Sequence, residues 1–510
     1  MNEGFLTIYS SDPRDPRSSV ANIFLFSKPH LTIVSIFLLL GLILAPIAGF
    51  PPRQSTSAAV RGFSAENSAA TESPLQRRRE RREGAEKNSQ AGPPLQDERF
   101  LIDLEQHSFR YFWDEADPTT GLVPDRARMD GSPLDEGHRN VASIAATGFG
   151  LTALCIAAEN NWINKTQARE RTRNTLRFFD TRAFNEHGWF YHWMDAKTGD
   201  RKWDSEVSSI DTALLLAGVL SARQYFRNDQ EIVTLAKRIY ERVDFRWMLN
   251  GDPLLLSHGW KPETGFLRSR WDTYSEDTIL YLLAIGSPTH PISASSWSAL
   301  WRDRYRYDGH AYFTTIGVPL FMHQYSHAWV DYRDRRETKG DRIDYFQNSI
   351  AATLAHRAFC MTLSHDFPAF GPNVWGITAS DSAKGYLAWG GPPRDPDIDG
   401  TLVPSAAGGS LMFTPEPSLE ALRTMHAQFG VRIYGKYGFV DAFNPKTGWF
   451  DSDVIGINAG IILLSAENMR TGNVWRWFMQ NREIPKAMQR VGLVKYNSRR
   501  MLQAPLRKAA

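Results

Sequence analysis

Two glutamates, Glu206 and Glu276, occupy the same place in two copies of one local pattern. Each follows a segment rich in Trp, Tyr and charged residues, and each precedes an apolar run with helical character, at 207–223 and 277–285. Cleavage of a glycosidic bond needs one carboxylic acid that protonates the leaving oxygen and a second carboxylate that attacks or activates water. Carboxyl groups placed among aromatic residues at the mouths of two helices therefore indicate glycoside chemistry.

The two glutamates are expected to differ in protonation. Trp203 should desolvate the Glu206 carboxyl group and raise its pKa, as a general acid requires. Glu276 should lie at a helix N-terminus, which stabilises an ionised base or nucleophile. Glu276 also has a structural alternative, because Thr273 and Glu276 have the spacing of a capping box. For Asp211, which has the same spacing from a serine, we favour the capping role.

A pair of histidines offers a second kind of site. His323 and His327 lie four residues apart, a spacing that can hold a metal ion, but no Cys or Glu-rich segment accompanies them. We expect them to line a sugar subsite together with Gln324 and Tyr325. No metal ion and no cofactor is expected.

Further candidates for contact with sugar are aromatic and acidic residues in the loops between helices. Aromatic faces pack against the CH surfaces of sugar rings, although a single loop aromatic is more often a packing residue. The remaining substrate-binding candidates are Asp204, Trp271, Tyr274, Trp375, Asp381, Trp389, Asp441 and Trp449.

Six pairs of helices must position these residues. In each pair an amphipathic helix is followed, after a loop rich in Gly, Pro and aromatics, by a helix rich in small residues. The small-residue helices should begin near Ser143, Ser208, Ser275, Gln324, Pro404 and Ile457. Their amphipathic partners should span 98–115, 165–182, 229–249, 342–363, 416–429 and 473–490. The pattern predicts an all-α fold, an (α/α)6 barrel over residues 96–495, with a helical solenoid as the alternative.

Composition excludes one class of partner. The formal net charge is only +3, whereas the chain has 16 Trp, 17 Tyr and 29 Phe residues. Nucleic-acid binding would require a basic surface, so we expect no nucleic-acid partner. The aromatic excess favours an oligosaccharide or polysaccharide. The two cysteines, Cys155 and Cys360, are expected to be buried thiols, although export would permit a disulfide between them.

The N-terminal region has a different character. Residues 31–50 form an uncharged apolar stretch long enough to span a bilayer, which takes about 20 residues. It follows an N-terminal segment, 1–30, that contains basic residues. The stretch predicts export to the periplasm or the medium, either as a cleaved signal peptide or as a retained anchor in the inner membrane. Residues 51–95 are polar and predict a disordered linker, and 496–510 a tail.

Six motifs resemble the glycoamylase-like family of bacterial proteins: YFWDE at 111–115, SSIDTALLLAG at 208–218, GSPTHP at 286–291, HQYSH at 323–327, WGITASD at 375–381 and YGFVDAFN at 437–444. That family includes endo-β-1,2-glucanases and the transglycosylating domain of cyclic β-1,2-glucan synthases. The resemblance covers about residues 100–492. It implies an (α/α)6 fold, action on glucan and essential acids at Glu206 and Glu276, with Asp204 as a candidate third carboxylate.

The resulting expectation is an exported, monomeric glycoside hydrolase that acts on a glucan, with β-1,2 linkages favoured by the resemblance. Two alternatives stay open. One is a transglycosylase that uses the same acids, in which a sugar hydroxyl rather than water captures the intermediate. The other is a polysaccharide-binding protein without catalysis.

Overall fold

A computed structural model describes residues 95–315 and 319–496. The predicted segments 1–30 and 31–50 lie outside these residues, as do the linker except for Leu95 and the tail except for Tyr496. Within the described ranges, no helix combines the length and apolar character needed to cross a bilayer.

The described part of the chain is mostly helical. Its α-helices are α1 Leu95–Asp114, α2 Ile144–Glu159, α3 Lys165–Thr181, α4 Ser209–Tyr225, α5 Gln230–Arg242, α6 Thr278–Gly286, α7 Ser295–Ala299, α8 Tyr325–Trp329, α9 Tyr345–Thr362, α10 Pro404–Gly408, α11 Pro415–Phe429, α12 Gly456–Arg470, α13 Asn473–Met479 and α14 Glu483–Arg490.

Short strands occupy the loops between these helices, a feature that the all-α prediction did not include. They are β1 Arg126–Arg128, β2 Val141–Ser143, β3 Trp193–Asp195, β4 Val207–Ser208, β5 Gly259–Lys261, β6 Gly265–Phe266, β7 Asp303–Tyr307, β8 His310–Thr314, β9 Arg335–Glu337, β10 Tyr434–Gly435, β11 Gly438–Phe439, β12 Phe443–Asn444, β13 Trp449–Phe450, β14 Asp453–Ile455 and β15 Leu493–Lys495. The described pairs are all antiparallel: β1 with β14, β2 with β3, β4 with β5 and β5 with β6, β7 with β8, β9 with β15, β10 with β11, and β12 with β13.

The six small-residue helices are α2, α4, α6, α8, α10 and α12, and each begins within three residues of its predicted start. Every residue of α6 is buried, as are residues 144–158 of α2. Helices that are apolar on all sides must be covered on all sides. The prediction that small-residue helices are buried on all sides is confirmed for α2 and α6.

Two amphipathic helices are less continuous than predicted. The helix expected over 229–249 ends at Arg242 and is followed by a short 3-10 turn at Trp247–Leu249. The helix expected over 473–490 is divided into α13 and α14. Asn481 lies at this break, and its side-chain amide donates to the carbonyl oxygens of Phe478 and Leu220. An asparagine side chain that bonds nearby backbone carbonyls competes with continuation of a helix.

Close helix packing sets the position of α4. A Cβ atom on Gly148 of α2 would lie 2.2 Å from the carbonyl oxygen of Leu214, and one on Gly218 of α4 would lie 2.1 Å from the carbonyl oxygen of Gly148. Only glycine permits this approach. Helix α4 also packs against α6, and α12 packs against α2, α8 and α10. The helices that follow the predicted acids are therefore neighbours.

Candidate active site

Glu206 lies immediately before β4, where several backbone bonds fix the chain. Its carbonyl oxygen accepts a hydrogen bond from the backbone N–H of His192 at 2.9 Å. Strand β4 pairs with β5, and Ser208 caps α4 through a side-chain bond to the N–H of Asp211. The carboxyl group of Glu206 is thereby placed at the N-terminal end of α4, and it is buried.

The Glu206 carboxyl group is paired with an imidazole. Its Oε1 atom lies 3.1 Å from Nδ1 of His192. Burial is the largest single influence on the pKa of Glu206 and raises it, but the hydrogen bond and charge of His192, with smaller contributions from the Glu206 backbone and Lys261, lower the pKa overall. The predicted rise in the pKa of Glu206 is therefore wrong. The prediction took account of the neighbouring Trp203 but not of His192, which is 14 residues away in sequence and bonds to the carboxyl group.

Glu276 lies two residues before α6, which begins at Thr278. The alternative of a capping box is not found: the residue at the N-cap position is Asp277, which makes no side-chain cap bond. The backbone carbonyl of Glu276 accepts a hydrogen bond from Ser326 Oγ at 2.6 Å. Its carboxyl group therefore has no part in closing the helix.

The environment of Glu276 favours the neutral acid. Burial is the largest influence, and together with the nearby Asp277 and Asp211 carboxyl groups it raises the pKa of Glu276 to about 8. Its Oε2 atom is buried and has no hydrogen-bond partner among the described residues. The expectation of an ionised Glu276 is therefore wrong, and at neutral pH this carboxyl group carries a proton.

The two glutamates belong to one electrostatic cluster. Asp211, in the first turn of α4, acts on the pKa values of both His192 and Glu276. The pKa of Tyr325, which burial raises well above its usual value, is raised further by Glu276 and Asp211. Because α4 and α6 pack together, the acids that precede them lie at one site.

A second group of acids adjoins Tyr325 and lies around Arg126. Arg126 Nη1 is 2.7 Å from Asp381 Oδ2, and the backbone N–H of Asp381 donates to Asp441 Oδ2 at 2.7 Å. Burial is the main reason that the pKa of Asp441 is raised to about 7 and that of Asp451 to about 9. Two predicted sugar-binding acids, Asp381 and Asp441, are thus in direct contact.

Several predicted sugar-binding residues are buried and bonded to other parts of the chain. Trp271 donates through Nε1 to Ser209 Oγ, and Gln324 donates to the carbonyl oxygen of Ala406 and to Ser410 Oγ. Trp271, Gln324, His327, Trp375 and Trp389 are all buried, and their place in a sugar subsite stays a prediction. Their burial is explained by contacts with protein, as in the hydrogen bond between His327 Nε2 and Ser349 Oγ.

The other candidates take varied positions. Tyr274 is buried, and its hydroxyl group lies 3.4 Å from Nδ1 of His323. Desolvation lowers the pKa of His323 to about 3, so this imidazole is neutral. Asp204 is exposed and has a left-handed backbone conformation with φ of 48°. Trp449 is half-buried in β13. The hydroxyl group of Tyr325 donates a hydrogen bond to Asn458 Oδ1 at 3.1 Å.

Two residues of interest were missed from the sequence. One is His192, whose only signal was its place in an aromatic-rich stretch. The other is Trp301, whose backbone N–H and carbonyl bond to Asp272 and Tyr274, each at 2.7 Å, beside the segment that leads to Glu276. Trp301 is 47% exposed, and its ring nitrogen Nε1 donates a hydrogen bond to Asp303.

Among residues 95–315 and 319–496, two groups of side chains have the composition of a cation site, and neither includes His323 or His327. In the first, one donor atom from each of His192, Glu206 and Asp211 lies within 4.8 Å of the other two, but the two carboxyl groups are already paired with opposite nitrogens of the imidazole. In the second, a guanidinium group, that of Arg126, already lies against the acids. The geometry fits ion pairs between side chains better than coordination of a metal.

Known proteins resemble this chain over most of the described region. Residues 268–482 match the Glycoamylase family model. An exo-β-1,2-glucooligosaccharide sophorohydrolase from Parabacteroides distasonis is 27% identical over 440 residues, which are 79% of this chain. The match spans 59% of that relative's length.

Solved structures agree. An endo-β-1,2-glucanase from Chitinophaga pinensis, in complex with sophorotriose and glucose, is 30% identical with a TM-score of 0.72, and the match covers 79% of this chain and 99% of that one. A β-1,2-glucanase from Parabacteroides distasonis is 26% identical, also with a TM-score of 0.72, over 78% of this chain and 60% of that one.

Proposed function

The chain belongs to the glycoamylase-like family of glycoside hydrolases, and from this premise we propose that it hydrolyses β-1,2-linked glucan with Glu276 as the general acid and Glu206 as the second essential carboxylate. The observation that carries the proposal is the contrast between these two buried groups. Glu276 has a pKa raised to about 8, whereas the pKa of Glu206 is lowered. Two carboxyl groups whose surroundings separate their pKa values are suited to acid and base roles at the same pH.

The roles follow from the state of each group near neutral pH. Protonated Glu276 donates its proton to the oxygen that leaves the scissile bond. Ionised Glu206 either activates a water molecule or attacks the anomeric carbon directly. The spacing of the carboxyl groups in the sugar complex decides between these courses, since about 5 to 5.5 Å suits direct attack and about 6.5 to 9.5 Å leaves room for water.

The linkage is proposed from the relatives. The sophorohydrolase and both glucanases are named for β-1,2-linked substrates, and one of them holds sophorotriose and glucose. The glucanase with 30% identity matches 79% of this chain, a share comparable to the whole described fold. A β-1,2-glucan is therefore the first substrate to test.

An exposed aromatic ring supports binding of a sugar chain. Trp301 presents nearly half of its surface next to the segment 272–274, two residues from Glu276. A tryptophan face held by hydrogen bonds at both backbone and ring suits the CH face of a glucose unit. We therefore assign Trp301 to a sugar subsite at the rim, a role that sequence analysis gave to other tryptophans.

The finer architecture and location are also proposals. Contacts of α12 with α2 and α10, and of α4 with α2 and α6, fit a closed ring of six inner helices, an (α/α)6 barrel. Export is supported by the uncharged apolar stretch at 31–50, which acts as a signal peptide or an anchor. Fractionation of cells that express the full chain, with its N-terminus sequenced, distinguishes these two fates.

Product analysis tests the function. The purified full chain is incubated with linear β-1,2-glucan, cyclic β-1,2-glucan, β-1,3-glucan and α-1,4-glucan, and the product lengths are followed by mass spectrometry. We expect shorter β-1,2-linked oligosaccharides and no products from the other linkages. Products longer than the oligosaccharide supplied indicate a transglycosylase. Hydrolysis of α-1,4-glucan alone, or binding without any product, overturns the proposal.

A further inference from the structure

His192 lies between two buried carboxyl groups. Its Nδ1 atom is 3.1 Å from Glu206 Oε1, and its Nε2 atom is 3.4 Å from Asp211 Oδ1. The ring is stacked on Trp193, with ring centroids 3.5 Å apart and planes inclined by only 10°. His192, Glu206 and Asp211 are each less than a tenth exposed. The orientation of the imidazole is therefore fixed, and solvent contributes little to its hydrogen bonding.

The chemistry of imidazole limits the state of this ring. A neutral imidazole has one N–H and one acceptor nitrogen, whereas the imidazolium ion donates from both nitrogens. A carboxylate oxygen, which only accepts, faces each nitrogen of His192. The arrangement is satisfied when the ring carries both protons and both acids are ionised.

Asp211 is equipped to remain ionised in this arrangement. Ser208 Oγ donates to its Oδ2 atom at 2.5 Å, and Asp211 lies in the first turn of α4, where the helix dipole favours negative charge. Burial, the largest influence, opposes this and leaves the pKa of Asp211 raised overall, although the charge of His192 and the hydrogen bond from Ser208 lower it. One imidazolium between two anions leaves the three groups with a single net negative charge.

We propose that His192 is a positioning residue that, as an imidazolium shared by Glu206 and Asp211, holds Glu206 ionised and in one orientation so that the single proton of the acid pair stays on Glu276. The inference rests on the proposed function for the role of the acid pair, but not for the charge state of the ring. His192 itself does not contact the reacting atoms. Its effect reaches the substrate through the Glu206 carboxylate.

The charged groups around the ring agree with this state. Burial is the largest influence on the pKa of His192 and lowers it, but Asp211, Glu206 and Asp125 together raise the pKa to about 9. Asp125 accepts a hydrogen bond from Nε1 of Trp193, the residue that stacks on the imidazole. The positive charge of Lys261, in β5, lowers the pKa of Glu206 further and stabilises the same ionised carboxylate. The acids that act on this ring therefore keep its second proton in place.

The charge of His192 is measured without any substrate. Nitrogen-15 NMR of the full chain with labelled histidine reports how many protons each imidazole carries, and the signals lost in His192→Gln identify His192. We expect both ring nitrogens to be protonated at pH 7, with loss of one proton near pH 9. In Asp211→Asn this loss should occur at lower pH. A neutral ring at pH 7 overturns the inference.

The consequence for catalysis is tested with two isosteric variants. Asparagine places its amide near the position of Nδ1 and keeps a donor for Glu206, whereas glutamine places its amide near Nε2 and keeps a donor for Asp211. We expect His192→Gln to lower kcat at least tenfold and to move the acidic limb of the pH profile to higher pH, with KM within threefold. His192→Asn should retain more of the rate and the original limb.

Outcomes for the two levels of the proposal are distinct. If the wild-type chain cleaves no glucan, the proposed function fails, yet the NMR titration still decides the state of His192. If the wild type is active and both variants keep its rate and pH profile, the positioning role fails. His187→Gln, on an exposed imidazole stacked on Trp247, is the matched control and should change neither measurement.

Discussion

Glu206 and Glu276 precede the first turns of two helices that pack against each other, and their surroundings shift their pKa values in opposite directions. The downward shift at Glu206 depends on the hydrogen bond and charge of His192. The upward shift at Glu276 comes first from burial and is increased by Asp277 and Asp211. Two glutamates in similar sequence patterns thus differ in protonation near neutral pH: Glu206 is ionised and Glu276 is protonated.

The pH dependence of kcat/KM should follow both groups. Activity falls as pH rises through about 8, because Glu276 loses the proton that it must donate. It also falls in acid, below the usual glutamate pKa, as Glu206 takes up a proton. Initial rates on β-1,2-glucan between about pH 3 and about pH 10, each paired with a melting curve, measure both limbs. An alkaline limb near pH 5 would contradict the assignment of Glu276.

Glu276→Gln should lower kcat at least about a hundredfold, the scale of a positioned proton donor. It should also stabilise the protein. Because the pKa of Glu276 is raised on folding, its contribution to the free energy of unfolding is fully present below the pKa of the unfolded chain and is lost as pH rises towards 8. The loss is about 1.4 kcal/mol for each pH unit that separates the folded and unfolded pKa values. The neutral amide avoids this loss, so the gain in melting temperature should be larger at pH 8 than at pH 5. An equal change at both values contradicts burial as the cause.

Glu206→Gln should also lower kcat at least about a hundredfold, but with the opposite effect on stability. The lowered pKa of Glu206 means that its contribution to stability is present above the pKa of the unfolded chain and is lost as pH falls through the folded value. The substitution removes one of the two acids that flank His192. The melting temperature should therefore fall at pH 7 and approach that of the wild type in acid, as differential scanning calorimetry can measure.

The different fates of the two glutamates show the limit of sequence analysis. The inner helices were located to within three residues, because runs of Ala, Gly, Ser and Leu admit burial on all sides. The protonation states were assigned the wrong way round, since a pKa depends on neighbours in space. His192 is 14 residues from Glu206 and reaches it only because the backbone N–H of His192 bonds to the Glu206 carbonyl.

The surroundings of the aromatic residues were also not predictable from sequence. Position in a loop suggested sugar contact for Trp271, Trp375 and Trp389, but all three are buried, as packing residues of loops commonly are. Trp301 is exposed. Its backbone bonds to Asp272 and Tyr274, and its ring nitrogen donates to Asp303. Composition alone does not distinguish these cases.

Trp301→Ala should raise KM for long β-1,2-glucan about threefold to tenfold with kcat little changed, because loss of an aromatic contact is worth roughly 0.5–1.5 kcal/mol beyond burial. Trp301→Phe keeps an aromatic face and should fall between the alanine variant and the wild type. Steady-state kinetics on oligosaccharides of increasing length will show whether the effect grows with length. An unchanged KM for every length removes Trp301 from the sugar subsite.

Chelation should leave the enzyme active. His192 lies against Glu206 and Asp211, and Arg126 lies against Asp381, so these carboxyl groups already have partners within the chain. After dialysis of the full chain against EDTA, we expect kcat to stay within twofold of the starting value. A loss of activity that calcium or zinc restores would place a metal in the site and revise the roles of both acid groups.

The most direct measurement compares two leaving groups on the same sugar chain. β-1,2-Glucan needs protonation of a poor leaving oxygen, whereas a dinitrophenyl glycoside of a β-1,2-linked oligosaccharide departs without a proton. For Glu276→Gln we expect a loss of at least about a hundredfold on the glucan and near wild-type release of dinitrophenol, while Glu206→Gln loses both reactions. Equal losses on both substrates for Glu276→Gln, or wild-type cleavage of the glucan by that variant, would contradict the assignment of Glu276 as the general acid.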